Sequence, residues 1–259
     1  MYEFLNYKVH EGISTISLNR PDVYNALNDT ITFELQDALK KAEKDSAVRV
    51  IVLTGEGKAF CSGQDLKAAR GAEMRSFSES LMKRYNPIIR RMRHMPKPII
   101  GRINGVGAGA GCSLALACDI TVMAEEAFLV EVFINIGLVL DSGSSYFLPR
   151  LIGSAKAFEL ATLGSRVYGP EAVQLGLVNK AVPLNYLDDA VVEYAIYYSK
   201  APTKAIGLMK KMLNKAGSDG LEAALEYETY CQDIAGSTQD YKEGVTAFLE
   251  KRSANFKGV

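Results

Sequence analysis

The stretch "INGVGAGAGCSLALACDI", residues 103–120, sets four glycines at alternate positions between two apolar runs. Gly105, Gly107 and Ala110 fit the G-x-G-x-x-G/A form of a dinucleotide-binding turn, and Glu125 lies twenty positions after Gly105, where a ribose-binding acid belongs. The surroundings argue otherwise. The following helix has only the residues from Ala110 to Cys118 before Asp119 opens another strand, and several strands precede it, whereas the dinucleotide turn belongs to the first unit of its domain. The alternative is a turn that brings a backbone N–H up to a smaller anionic group.

Working outward, "YEFLNYKV" and "GISTISLN" flank "HEG" and predict a hairpin, and "VRVIVLTG" predicts a buried strand. Between them "DTITFELQDALKKAEKD" has helical spacing behind Asp29 as its cap. A second helix is expected over about residues 73–95, kinked at Pro87. "KPIIGRI", "DITVMAE" and "AFLVE" read as strands, so beta-beta-alpha units recur and the fold class is α/β. Beyond residue 143 helices dominate. "SAKAFELATLG" stops at Gly164, "GPEAVQLG" starts on Pro170 and stops at Gly176, and "LVNKAV" is a last strand. Residues 186–252 predict three amphipathic helices broken near "KAPT" and "AGS", whose apolar stripes pack on their own domain or on a neighbouring subunit.

The 259 residues carry 30 basic and 30 acidic side chains, a balance that gives no electrostatic footprint for nucleic acid or an acidic membrane. No apolar run reaches membrane-spanning length. Cys61, Cys112, Cys118 and Cys231 lack metal-ligand spacing and only His10 and His94 could assist them, so no metal is expected; buried thiols in a reducing, cytoplasmic setting are the expectation. The cluster Arg90, Arg91 and Arg93 reads as a solvated face, with phosphate binding as the alternative.

A second glycine-bearing loop, "GKAFCSGQDL", follows its own strand as the first does. If Gln64 and Ala110 each present a backbone N–H, the two donors converge on one carbonyl oxygen and stabilise it as it turns into an oxyanion; the alternative is that the glycines serve only tight turns. Asp141 ends an apolar run just before a helix. Its carboxylate either caps that helix or stands at the rim of an apolar pocket as a proton acceptor. Asp65 either fastens its turn or joins the chemistry, and Glu131 reads as a solvated strand edge, with a catalytic carboxylate as the alternative. Nucleophilic catalysis lacks a G-x-S-x-G motif or a base beside Cys61.

Taken in order, "NRPDVYNAL", "GKAFCSGQDL", "INGVGAGAGCSLALACDI", "LPRLIG", "LGLVNKAV" and "EGVTAFLEKRSANFKG" closely resemble the crotonase (enoyl-CoA hydratase/isomerase) superfamily from about residue 2 to the C-terminus. The resemblance implies a spiral of beta-beta-alpha units over residues 1–195, a helical oligomerisation region over 196–259, homotrimers or dimers of trimers, and an acyl-coenzyme A thioester as substrate, with no separate cofactor. It places the oxyanion-hole donors on Gln64 and Ala110, and substrate contacts on Cys61, Ser62, Asp65, Leu66, Lys67, Gly109 and Phe133. The two glutamates with which hydratases of the family handle water fall on Ser113 and Phe133, so both carboxylates are missing. Asp141 stands where several relatives keep their only catalytic carboxylate. "IGLVLDSGSSYFLPR" looks most like the isomerases of the family that act on ring epoxides and unsaturated acyl-CoA in phenylacetate degradation. The aromatic dehalogenases of the family share that Asp but need a Trp at position 133, and the chain contains none. The expectation is an isomerase, with hydration as the alternative.

Overall fold

The computed structural model describes residues 1–71, 76–217 and 219–259. β1 (Leu5–His10) and β2 (Ile13–Leu18) form the expected antiparallel hairpin, with Leu5 opposite Leu18 and His10 opposite Ile13. Glu11 and Gly12 turn the chain with φ of 47° and 82°, the two positive values that a tight two-residue hairpin turn requires. α1 (Asp29–Lys44) buries Ile31, Leu35, Ala38, Leu39 and Ala42 along one face. Its cap lies one residue earlier than the sequence suggests. The Asn28 side chain accepts the Ile31 N–H at 3.0 Å, and Asp29 is already helical, with its carboxylate 3.2 Å from Arg84.

β3 (Val50–Gly55), buried throughout, opens a repeating arrangement. It is followed by β4 (Ala59–Cys61), as β5 (Ile99–Ile103) is by β6 (Val106–Ala108) and β7 (Ile120–Ala124) by β8 (Phe128–Val130). The first strand of each pair enters a six-stranded sheet, completed by β10 (Lys180–Val182), in the order β1-β2-β3-β5-β7-β10. The second enters a four-stranded sheet, completed by β9 (Val167–Tyr168), in the order β4-β6-β8-β9. Among the described residues only β1–β2 and β8–β9 are antiparallel. Each pair therefore moves the chain one strand along both sheets, the spiral of beta-beta-alpha units that the family resemblance implies. Parallel sheets need cover on both faces, which explains why β3 and β5 read as nearly continuous apolar runs.

The helices after these pairs carry the site. α2 (Leu66–Gly71) follows β4. The helix expected over residues 73–95 begins outside the described residues and from Phe77 onward is not uniform. α3 (Phe77–Ser80) runs into a π-helical turn, Leu81–Tyr85, and then into α4 (Asn86–His94). Pro87 sits in the first turn of α4, where its missing N–H costs nothing, so the irregularity falls just before the proline. α5 (Ala110–Leu116) follows β6 and is buried along its whole length.

α6 (Ser144–Ile152), α7 (Ser154–Leu163) and α8 (Gly169–Leu175) end at Gly153, Gly164 and Gly176. α9 (Leu187–Lys200) covers β2, β3, β5 and β7, α10 (Thr203–Ala216) packs on α4, and α11 (Leu221–Gly236) packs on α10 and on α12 (Gln239–Glu250). These are four helices where the sequence predicts three. The missed break is at Ser237–Thr238, where the Thr238 hydroxyl accepts the Tyr241 N–H at 3.0 Å and restarts the helix. Leu213, Leu221, Phe248 and Leu249 on these helices remain largely exposed. Among the described residues no helix is long and apolar enough to cross a membrane.

Candidate active site

Leu27 pairs with the "CSGQD" loop through a single parallel bridge opposite Gln64. Its N–H donates to the Gly63 carbonyl at 2.7 Å, and its carbonyl accepts the Asp65 N–H at 3.0 Å. The bridge thus engages the residues on either side of Gln64 and leaves the Gln64 N–H turned away from Leu27. Ala110 is the first residue of α5, so its N–H has no acceptor within the helix. Glycines hold these two groups on adjoining backbone. A Cβ on Gly63, whose φ is +88°, would stand 2.7 Å from the Ala108 carbonyl oxygen and 3.4 Å from the Ala110 nitrogen. One on Gly111 would stand 2.1 Å from the Cys61 carbonyl oxygen. The alternating glycines of the opening stretch therefore let the α5 turn press against the β4 loop. The dinucleotide reading has no support here: α5 is short and Glu125 is exposed in the turn after β7.

Around these donors the loop is fastened from several sides. The Asp65 carboxylate accepts the N–H groups of Lys67 (3.2 Å) and Ala68 (3.0 Å) and pairs with Arg20 at 3.0 Å. The backbone bond from Ala68 leads, with Arg20 assisting against burial, in holding its carboxyl below the usual range. Cys61 is wholly buried with its thiol donating to the Asn25 carbonyl, and burial pushes that thiol up to about 12, so it is inert as a nucleophile. Ser62 donates to the Val23 carbonyl at 3.3 Å, while Leu66 and Lys67 face solvent. The other three cysteines are buried free thiols as expected. Sequence reasoning missed Tyr85, in the π-helical turn, whose hydroxyl donates to Gln64 Oε1 and which burial, opposed in part by the Arg84 charge, holds above its usual range. Of the basic cluster on α4, Arg91 pairs with Glu43, and Arg93 pairs with Asp119 at 3.2 Å.

Asp141 does not cap α6: the cap position is Gly143, with no side-chain bond. Its carboxylate accepts the Ser142 hydroxyl at 2.7 Å, and burial raises it above the ordinary range while that bond lowers it in part. Phe133, 8% exposed, lies in the 3-10 turn Val132–Ile136; its ring would be 3.7 Å from a Cβ on Gly109, the residue before Ala110. Ser113 Oγ, within α5, lies 3.1 Å from the Asp141 carbonyl oxygen and 2.7 Å from Ser144 Oγ. Asp141, Phe133, Ser113 and the N–H of Ala110 thus gather at the N-terminal end of α5.

Glu131 corrects the sequence reading most sharply. It is no solvated strand edge but 3% exposed, with Oε1 2.7 Å from Ser144 Oγ. Burial pushes its carboxyl up to about 7, with the Asp141 charge adding to the rise and the Ser144 and Cys112 bonds opposing it. No cluster of histidine, cysteine and acidic residues fit to hold a metal ion occurs among the described residues.

The whole chain is similar to proteins of known family. It is 39% identical, over 100% of both chains, to 1,2-epoxyphenylacetyl-CoA isomerase of Escherichia coli K12. It is 36% identical to the mitochondrial enoyl-CoA hydratase of Pongo abelii, covering 95% of this chain and 83% of that one, and 33% identical to crotonyl-CoA hydratase of Syntrophomonas wolfei, covering 98% of each. The crystal structure of enoyl-CoA hydratase from Bacillus anthracis superposes with a TM-score of 0.94 at 31% identity, covering 99% of this chain and 100% of that one. Residues 8–259 match the family described as enoyl-CoA hydratase/isomerase. Two sheets fed by alternate strands and a full-length match agree with this, and the chain belongs to the enoyl-CoA hydratase/isomerase (crotonase) family.

Proposed function

We propose that the protein isomerises an acyl-CoA thioester, moving a double bond or rearranging a ring epoxide, with Asp141 as its single acid/base. The observation that carries this reading is the makeup of the α5 end. Asp141, its half-buried carboxylate free of capping duty, has its backbone carbonyl 3.1 Å from Ser113 Oγ of the helix that Ala110 begins, and both hydratase glutamate positions hold other side chains, Ser113 and Phe133. In the proposed reaction the thioester oxygen accepts the N–H groups of Gln64 and Ala110. Asp141 takes a proton from carbon, the C–H electron pair moves into a dienolate whose oxygen those N–H groups hold, and the proton returns to a different carbon of the same conjugated system. Each donor of this kind contributes about 3 kcal/mol to the transition state. Phe133 lines the acyl pocket and keeps water from the dienolate.

Ser62, Leu66, Lys67, the backbone of Cys61 and Asp65, and Gly109 are the proposed contacts of the coenzyme A part. The thioester itself supplies the only coenzyme, and the setting proposed is cytoplasmic. Residues 196–259 are proposed to join subunits into a homotrimer or a dimer of trimers, in keeping with an apolar groove between Pro202, Tyr241, Val245, Phe248, Leu249 and Phe256. Hydration of a 2-enoyl-CoA is the second reading, favoured by the hydratase names among the relatives.

The test supplies purified protein with a 3-enoyl-CoA and, separately, a 2-enoyl-CoA, following double-bond migration and water addition. Migration without hydration is expected, and Asp141→Asn should reduce it by roughly 10²–10⁴-fold while leaving coenzyme A binding intact. Rapid hydration without migration would overturn the isomerase reading.

A further inference from the structure

The proposed reaction uses one carboxylate, yet a second carboxyl group lies buried behind it. From Glu131 Oε1 a chain of oxygens leads to the backbone of Asp141. Ser144 Oγ is 2.7 Å from Glu131 Oε1, Ser113 Oγ is 2.7 Å from Ser144 Oγ, and the Asp141 carbonyl oxygen is 3.1 Å from Ser113 Oγ. Ser113 and Ser144 are both fully buried, and the Gly109 carbonyl, 3.3 Å from Ser113 Oγ, is the other acceptor within reach of that hydroxyl.

Counting hydrogens decides the direction of the chain. Three contacts need three hydrogens. A carbonyl only accepts, so the hydrogen on the last contact is Ser113's. The one between the two serines is then Ser144's, and the one between Ser144 and Glu131 has to come from the carboxyl. An ionised Glu131 leaves two hydrogens for three contacts. Either the seryl oxygens face each other at 2.7 Å lone pair to lone pair, or the Asp141 carbonyl loses its hydroxyl partner. Glu131 Oε2 points the same way, because it is buried with no hydrogen-bond partner among the described residues, a poor place for a shared negative charge.

We propose that Glu131 is a positioning residue: its proton directs the Ser144–Ser113 hydroxyl chain onto the Asp141 backbone carbonyl and so holds the Asp141 carboxylate in its working place. This assignment rests on Asp141 as the acid/base. Loss of the proton turns Ser144 toward Glu131 and Ser113 toward Ser144, which leaves the carbonyl with the Ser144 N–H at 3.0 Å but without its hydroxyl partner, and so loosens the base. The titratable groups facing Glu131 are the Cys112 thiol from α5, itself raised well above its usual range by burial and the Glu131 charge, and Asp141 from the loop before α6. Burial, the largest effect, and the Asp141 charge oppose ionisation of Glu131, while the Cys112 bond favours it in part.

The test compares the wild type with Glu131→Gln, Glu131→Ala and Asp141→Asn. A glutamine amide donates to Ser144 Oγ at every pH, as the carboxyl O–H does only while protonated. Isomerase kcat/KM of the wild type should fall roughly tenfold on the alkaline side of about pH 7. Glu131→Gln should keep the neutral-pH rate within about threefold, lose that alkaline fall and retain the acid limb set by Asp141. Glu131→Ala should be roughly tenfold slower throughout. In the resting enzyme the infrared C=O stretch of a protonated carboxyl should disappear in Glu131→Gln and, in the wild type, titrate away as pH rises through about 7. An alkaline limb that persists in Glu131→Gln, or no protonated-carboxyl band lost on substitution, overturns the proposal. Undiminished isomerisation by Asp141→Asn overturns the role of Asp141, and with it Glu131 as its positioning residue, even if the infrared band is found.

Discussion

Replacing Glu131 by glutamine should change how stability responds to pH, in a direction and size fixed by where the carboxyl sits. Burial raises it from 4.5 to about 7. Between those values the unfolded chain has released the proton and the folded chain still holds it. The folded state therefore binds more protons, and stability falls as pH rises. The favourable contribution is complete below about pH 4.5 and gone once pH passes about 7. At 1.36 kcal/mol per pH unit, the loss amounts to about 3 kcal/mol. A glutamine at this place cannot titrate. Other carboxyls, such as Glu243, which bonds to Arg252 and the Asn255 N–H hold at about 2, behave alike in both proteins and cancel in the difference. The assay is thermal or urea unfolding of the two proteins at matched concentration, since any subunit association adds to apparent stability. Relative to the wild type, Glu131→Gln should gain about 3 kcal/mol between pH 5 and pH 8, or on the order of 5–10 °C in melting temperature for a chain of this size. A difference constant to within about 0.5 kcal/mol over that range would mean that Glu131 ionises as an exposed glutamate does, and the hydrogen count above would be wrong.

Three further outcomes follow from the same geometry. Ala110→Pro replaces the N–H by a ring carbon, at the first helical position where proline fits, and should lower kcat by at least roughly 10²–10³ with the circular dichroism spectrum unchanged. Gly111→Ala places a methyl 2.1 Å from the Cys61 carbonyl oxygen, forces the β4 loop off α5, and should cost about 1–3 kcal/mol in urea unfolding together with a drop in isomerase rate. Cys61, buried and raised to about 12, should resist iodoacetamide in the native protein at pH 8, and its rapid native alkylation would refute the burial.

What the sequence reveals of this molecule is what neighbours along the chain decide. The β1–β2 hairpin, the helix stops at Gly164 and Gly176 and the two glycine-bearing turns each depend on a few adjacent residues, and each stands where the pattern puts it. The cap of α1 slips by one because Asn28 and Asp29 are both good caps, and only the geometry of the Ile31 N–H chooses between them. Ser237–Thr238 hides inside a helical pattern because a hydroxyl cap is a weaker signal than glycine or proline. Glu131 misleads for a different reason. Alternation marks which residues share a face of a strand but not whether a second layer covers that face, and here Ser144 and Cys112, brought by α6 and α5, close over it. The chain Glu131–Ser144–Ser113 joins residues 13 and 31 positions apart, so no local pattern could contain it.

That chain also bears on the choice between moving a double bond and adding water. Adding water across a double bond requires a group that orients and deprotonates the water and a means of protonating the neighbouring carbon. Two facing carboxylates do this readily, and one of them would occupy position 113. Ser113 has a single hydrogen, directed to a carbonyl when Glu131 is protonated, and it accepts from Ser144, so it is committed inside the protein and buried. At the other position Phe133 offers a ring packed toward Gly109, with no lone pair for water. A proton shift between carbons asks for less: one base that removes a proton and delivers the same proton elsewhere, and an oxyanion hole that holds the charge meanwhile. The base and donors proposed above, Asp141 with the N–H groups of Gln64 and Ala110, would meet that smaller requirement. A burial-raised carboxyl suits the second half of the cycle, because a base that binds its proton too weakly leaves it nowhere to wait while the dienolate rearranges.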